Sequence, residues 1–237
     1  MMPASMVLSC EHAGNKIPRR FQKLYLGQKA ILKSHRGFDI GALGVTKILA
    51  KALHLPFYKS EISRLLIDHN RSLTNKALYS EFSASLKQTE KTFILNNYYR
   101  PHHLKVQNNV QRILARKKSV IHFAIHSFTP KLNGVIRNAD IGILFDPKSK
   151  FESEIAQKLK THLRQLAPEL VIRLNYPYKG SSDGLTKILR KNFGTKNYAG
   201  IEIELNQKYF KKRNHSEQKF FGKLLAESLL NLKETHS

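Results

Sequence analysis

Short apolar runs alternate with longer amphipathic stretches along most of the chain. The runs Met6–Ser9, Phe57–Tyr58, Arg64–Ile67, Val120–Ile125, Ile141–Phe145, Leu170–Asn175 and Ile201–Leu205 have strand length and are expected as strands. Between them, Ile40–Leu53, Thr89–Lys117, Phe151–Leu166, Gly184–Asn192 and Ser216–Lys233 carry the apolar spacing of helices that bury one face. Strands alternating with helices predict an α/β fold. The expected form is three-layer α/β/α, with helices on both faces of a central mixed, largely parallel sheet, as in phosphorylase/hydrolase-like folds. No Gly/Ser/Pro-rich linker, internal repeat or low-complexity tract interrupts the pattern, so residues 1–237 are expected to form a single domain.

The polar residues that punctuate the runs matter most. His12 follows the first expected strand, Asn70 and Arg71 the third, and His126 the fourth. Ligand crevices of open α/β sheets form at the carboxyl ends of the strands, so these positions point to one shared site. His12 stands where a buried strand breaks into a loop, with Gly14 beside it. A neutral imidazole there is a metal ligand or a loop histidine bonded for structure. His126 ends an apolar strand and is followed by Ser127, Phe128, Thr129 and Pro130, which stop the ladder and leave the ring to project. His122 shares its face by the two-residue period but lies deeper, as a core histidine. In Gly200–Gln207 two glutamates alternate with apolar residues, placing Glu202 and Glu204 on one face. That face is half-exposed, or it lines a cleft. In the second case Glu204, nearer the strand end, can serve as a base whose pKa burial raises. Arg71 offers a planar fork for a carboxylate, Asn70 an amide beside it, and Arg64 a donor toward a carbonyl, unless they are surface residues.

Composition narrows the options. One cysteine, Cys10, permits neither an internal disulfide nor a cysteine-based zinc knot, so metal ligands would be His, Asp or Glu. No run approaches the ~20 apolar residues of a membrane span, and the first ten residues lack a signal-peptide pattern; a cytoplasmic protein without a membrane partner is expected. With 41 Lys and Arg against 17 Asp and Glu, the net charge is +24. Such a surface attracts nucleic acid or other anions, yet the bases are spread along the chain in short clusters such as Arg116-Lys117-Lys118 and Lys211-Lys212-Arg213. A nucleic-acid partner therefore has no motif behind it, and the sequence sets no oligomeric state.

The segments CEHAGNKIP, RGFDIGA, SRLLIDHNRS, HSFTP, RNADIGILFD, NYPYKGSSDGLTKILRKNFGT and GIEIELNQ occur in this order from residue 7 to about residue 210. Together they resemble the motif series of the N-formylglutamate amidohydrolase family, related in fold to zinc carboxypeptidases and aspartoacylase-like deacylases. The resemblance implies one Zn2+ per chain and hydrolysis of N-formyl-L-glutamate or a similar small N-acyl amino acid to the free amino acid and a short carboxylate. It implies His12 and His126 as metal ligands, Glu204 as the catalytic acid/base and Arg64 as the carbonyl-polarising residue. It also implies Asn70, Arg71 and Arg137 for the substrate carboxylate. Tyr178, Gly180, Asp183 and Gly184 fall in a glycine-bearing loop expected to close over the substrate.

The chain departs from the carboxypeptidase pattern at one point. Three residues after His12, where those enzymes carry a glutamate ligand, stands Asn15. Asp39, just ahead of an expected helix, is the replacement ligand of choice; Glu11 is the alternative, although an extended segment turns it away from His12. The competing functions are a zinc deacylase or carboxypeptidase-like enzyme acting on another amide, and a non-catalytic basic protein binding nucleic acid on the same fold.

Overall fold

The computed structural model describes residues 5–116, 119–210 and 215–234; the basic clusters at 117–118 and 211–213, and the expected helix end at Lys117, lie outside them. In chain order the regular elements are β1 (Ser5–Cys10), α1 (Lys29–Leu32), α2 (Ala42–Ala52), β2 (Phe57–Lys59), α3 (Gln88–Ile94), α4 (Arg100–Leu114), β3 (Val120–Phe128), β4 (Lys131–Leu132), β5 (Val135–Ile136), β6 (Ile141–Leu144), α5 (Lys150–Leu166), β7 (Ile172–Leu174), α6 (Leu185–Phe193), β8 (Tyr198–Asn206) and α7 (His215–Glu234). Six strands form the central sheet in the order β2-β1-β3-β8-β6-β7. The first four run parallel, whereas β6 is antiparallel to β8 and β7 follows β6. The fold is the expected three-layer α/β/α arrangement around a mixed sheet. No helix among the described residues is long and apolar enough to cross a membrane.

Strand alternation sorts the sheet into two unlike faces. Leu8 and Cys10 of β1, Ile121, Phe123 and Ile125 of β3, and Ile201, Ile203 and Leu205 of β8 point one way and pack under α2, α5 and α7, against Leu49, Leu159 and Phe221. Each large side chain buried there contributes about 1.5–3 kcal/mol. The opposite face is apolar only near the amino ends of the strands, where Val7, Val120 and Tyr198 meet Val106 and Val110 of α4 and Leu185 and Leu189 of α6. Toward the carboxyl ends it carries Ser9, Glu11, His122, His126, Glu202 and Glu204, all buried. His122 is satisfied within the core, by Ser9 Oγ at 2.6 Å and the Tyr198 hydroxyl at 2.8 Å.

The segment Arg64–Ile67 is not a strand. Leu66 and Ile67 direct their N–H groups back to the Ser63 carbonyl in a turn. Leu65, Leu66 and Ile67 are all buried in a separate cluster with Phe21, Tyr25, Leu78, Ile94 and Tyr99. Three consecutive buried residues have no two-residue period, so an apolar run of this kind does not by itself specify a strand. Asn70 and Arg71 accordingly lie on a loop that crosses the carboxyl end of the sheet. The expected helix Thr89–Lys117 is α3 and α4 joined by a π-helical turn, Leu95–Tyr99. Pro101 has no N–H to give to the carbonyl four residues back, and the ladder widens ahead of it. The β4–β5 hairpin escaped the periodicity argument, although Asn133 and Gly134, both at positive φ, form the turn that Asn-Gly favours.

One ion pair completes the sheet where β6 stops. β6 pairs with β8 only from Glu202 onward, leaving Gly200 without a partner on that side. Glu152 of α5 accepts from Gly200 N at 2.9 Å, while Arg190 of α6 donates to Glu152 at 2.6 Å and to the Gly200 and Gly180 carbonyls. Both side chains are buried. Arg190→Ala would strand the Glu152 carboxylate in the core, and is expected to lower unfolding free energy by about 3–5 kcal/mol, measured as a shift of the urea midpoint at unchanged m-value.

Candidate metal centre

β1 ends at Cys10 and β3 at Phe128, and their parallel pairing brings His12 and His126 together with ring centroids 5.2 Å apart. Asp39 arrives from the loop ahead of α2, its N–H donating to the His12 carbonyl at 3.0 Å. Gly41 makes that approach: its φ is +88°, and a Cβ there would lie 2.3 Å from the Phe210 ring. Asp39 Oδ2 stands 2.8 Å from His126 Nδ1 and 3.5 Å from His12 Nδ1. His12, Asp39 and His126 thus offer three ligand atoms within 4.8 Å of one another, all on buried residues.

Hydrogen bonding assigns the ring nitrogens. Asp68 only accepts, so His12 Nε2 carries the proton it gives to Asp68 Oδ1 at 2.7 Å. That leaves His12 Nδ1 as a lone pair facing the centre, where an Arg64 guanidinium N–H donates to it and also to Asp39. On the other side, His126 Nε2 lies 3.1 Å from Glu11 Oε2, and His102 Nε2 lies 3.3 Å from Glu11 Oε1. Burial alone would favour neutral groups. Arg64, with His126 adding a hydrogen bond, nevertheless holds the Asp39 carboxyl well below the usual carboxylate range, and the His12 Nε2–H and Arg64 do the same for Asp68. Against the same burial, Asp39 and Glu11 hold the His126 imidazolium well above the ordinary histidine range. Glu204 differs. It pairs directly with His126 across β3 and β8. Burial pushes its carboxyl up to about 8, with His126 and Arg64 opposing and Asp39 and Glu202 reinforcing.

This set fits a divalent cation of the zinc class. Two imidazole nitrogens and a carboxylate oxygen are ordinary zinc donors, the outer nitrogen of each ring meets a carboxylate, and the centre already holds a positive group, the Arg64 guanidinium. Glu204 Oε2 is buried beside it without a hydrogen-bond partner among the described residues.

A cleft of about 380 Å³ opens over the centre, lined by Leu144, Tyr178 and otherwise by charged, amide, hydroxyl and imidazole side chains. Arg71 Nη1 donates to the Asn70 and Asp183 carbonyls, and its other guanidinium nitrogens have no hydrogen bond among the described residues. Asn70 is pinned: its Oδ1 accepts from Leu185 N at 2.7 Å, at the start of α6. Asp183 accepts from Ser72 N and Asn75 Nδ2, tying the Arg71 loop to the opposite wall. Tyr178 lines the cleft, and Arg137 reaches only its rim, donating to the Tyr178 hydroxyl at 3.0 Å. Gly180 does not line the cleft. It is buried against β6, with no room for a Cβ beside Phe145 N.

Sequence reasoning passed over Asp68, His102, Asn75, Lys179 and Ser182, which hold the centre or line the cleft. Asp68 was within reach, two residues before Asn70 in a polar run that follows buried apolar residues; the others carry no pattern. Glu11 lies behind His126, outside the three-atom donor group.

A model of the N-formylglutamate amidohydrolase family matches residues 4–210. No curated relative matches the chain. Among solved structures, a gene product of Agrobacterium tumefaciens has a TM-score of 0.80 at 28% identity, over 97% of this chain and 92% of that one. The N-formylglutamate amidohydrolase of Ralstonia eutropha has a TM-score of 0.73 at 16% identity, over 98% of this chain and 94% of that one, a likeness of fold. A bacteriophage poly-γ-glutamate hydrolase shares the fold more distantly, with a TM-score of 0.51 at 10% identity over 98% and 86% of the two chains.

The histidine beneath the site makes the fold acid-sensitive. Burial holds the His122 imidazole down to about 4, so between that pH and about 6.5 the unfolded chain binds a proton that the folded chain does not. The stability that goes with neutral His122 is fully present above about pH 6.5 and declines as pH falls toward 4, by up to about 1.4 kcal/mol per pH unit. Urea midpoints between pH 4 and 7 are expected to fall on the acid side, with a shallower slope in His122→Gln.

Proposed function

Because the chain belongs to the N-formylglutamate amidohydrolase family, we propose that it is a zinc-dependent amidohydrolase that cleaves N-formyl-L-glutamate or a similar N-acyl amino acid to the free amino acid and a short carboxylate. The observation that carries this reading is the convergence of His12 Nδ1, His126 Nδ1 and Asp39 beside the unpartnered carboxyl of Glu204. His12, Asp39 and His126 hold one zinc ion. When bound, zinc supplies Lewis acidity toward water and the scissile carbonyl.

The remaining chemistry belongs to side chains of this chain. Glu204 accepts a proton from the attacking water and returns it to the leaving nitrogen as the C–N bond breaks; a carboxyl that burial lifts to about 8 suits both transfers near neutral pH. Arg71 grips the substrate carboxylate with its free guanidinium nitrogens, and Asn70 fixes the loop that carries it. Arg64 donates to the acyl oxygen as negative charge develops there. Arg137 and Tyr178 stand at the entrance, Asp183 positions Arg71 through its loop, and Gly180 gives that loop its close seat on β6.

Glu204→Gln is expected to lower kcat by roughly 10²–10⁴-fold with zinc content and KM little changed, read as formate release from N-formyl-L-glutamate. Unchanged turnover would remove this carboxyl from the chemistry, and full activity after exhaustive chelation would remove the metal.

The charge of +24 gives a second expectation. Long-range attraction should draw a dicarboxylate substrate to the cleft, so kcat/KM falls as ionic strength rises past the range where the screening length is about 10 Å, while kcat stays constant. A kcat/KM indifferent to salt would mean that the surface charge plays no part in substrate capture.

A further inference from the structure

Glu11 is completely buried. Burying a carboxylate costs several kcal/mol unless it is well paired, and an apolar residue would serve packing alone better. Two histidines reach it: His102 Nε2 from α4, 3.3 Å from Oε1, and His126 Nε2, 3.1 Å from Oε2. Glu11 Oε2 and His126 Nε2 face each other at 3.1 Å, and neither makes a hydrogen bond to any described residue. The nearby polar core makes no demand on Glu11, since Ser9, His122 and Tyr198 satisfy one another.

From this geometry we infer that Glu11, itself held by His102, is the positioning residue of the second histidine: it keeps a proton on His126 Nε2 and turns Nδ1, which bonds Asp39 and would give up its own proton to a bound metal, toward the centre. Two consecutive residues then serve the centre in different ways. His12 supplies a ligand, and Glu11 orients the other one. The arrangement mirrors Asp68 on His12, so each imidazole is braced from outside by a carboxylate contributed by another part of the chain. The inference rests on the metal-centre reading and adds to it a carboxylate whose effect is on metal affinity.

The test is competition for Zn2+ between a chelator and the full chain, unsubstituted or carrying Glu11→Gln or His102→Gln. Circular dichroism and urea midpoints of the zinc-free proteins report folding. Glu11→Gln is expected to weaken Zn2+ binding about 10–100-fold with the fold retained, and His102→Gln to weaken it less. A second measurement does not depend on any variant folding: long-range 1H–15N spectra of the zinc-loaded unsubstituted protein should show His126 protonated at Nε2. Unchanged Zn2+ affinity in folded Glu11→Gln, or a proton on His126 Nδ1, would overturn the inference while leaving the metal centre standing. Glu11→Gln that loses stability without losing affinity would reduce Glu11 to a structural role. Failure of the unsubstituted protein to retain Zn2+ would overturn the metal reading itself, and this inference with it.

Discussion

Asp39 is buried, and its carboxylate stays ionised only because Arg64, His12 and His126 surround it. Those partners come from the turn after β1, from β3 and from the loop following Ser63, while Asp39 itself comes from the turn before α2. A single buried charge therefore ties together segments that are remote in sequence. Removing one partner would weaken that compensation in a medium that penalises an unpaired carboxylate by several kcal/mol. The electrostatics that make the centre chemically useful also fix its geometry.

That arrangement needs a sheet able to hold charges without loosening. The face under α2, α5 and α7 is apolar along β1, along β3 as far as Ile125 and along β8, and sets the register, because a one-residue slip of β3 or β8 would drive His126 or Glu204 into that layer. The other face can then afford buried polar side chains at its carboxyl end. A second apolar cluster, built from the segment Leu65–Ile67 and the residues packed on it, anchors the loop that carries Arg64, Asp68, Asn70 and Arg71 over the centre. Those residues are as well placed as strand-end residues would be, although they lie on no strand.

How much of this was legible in the sequence varies by element. Alternation put His122 with His126 on one face of β3 and Glu202 with Glu204 on one face of β8, since strand parity is a local property, and the pairing of the two strands makes these one face. The amphipathic helices α2, α5, α6 and α7 were legible for the same reason. Arg64–Ile67 misled because its burial comes from contacts with residues 21–25 and 78–99, which no local window contains. Residue type at the strand ends brought His12 and His126 into view, the family resemblance brought in Asp39 as third ligand, and the structure places their ligand atoms together. Asp68 and Glu11 act from behind, on the nitrogens that face away from the centre. Their contacts depend on side-chain direction after folding, to which one-dimensional spacing is blind.

The charge excess belongs to a different scale from the site. Inside the cleft, Asp39, Asp183, Glu202 and Glu204 stand against Arg64, Arg71 and Lys179, so by the formal count that gives +24, with histidine neutral, the lining holds none of the basic excess. The excess bases are distributed over the exposed surfaces of helices on both sides of the sheet, as in α4 and α5. Spread in this way, they raise the concentration of any anion near the molecule and say little about which anion reacts. Selection falls to the cleft. At about 380 Å³, with polar side chains in its walls and guanidinium nitrogens of Arg71 that bond no described residue, it has the size and the fork that the proposed acylated amino acid requires. On the proposed function, the same bases could hold a polyanion at the surface, whereas the reacting acid is the one that enters the cleft beside Glu204.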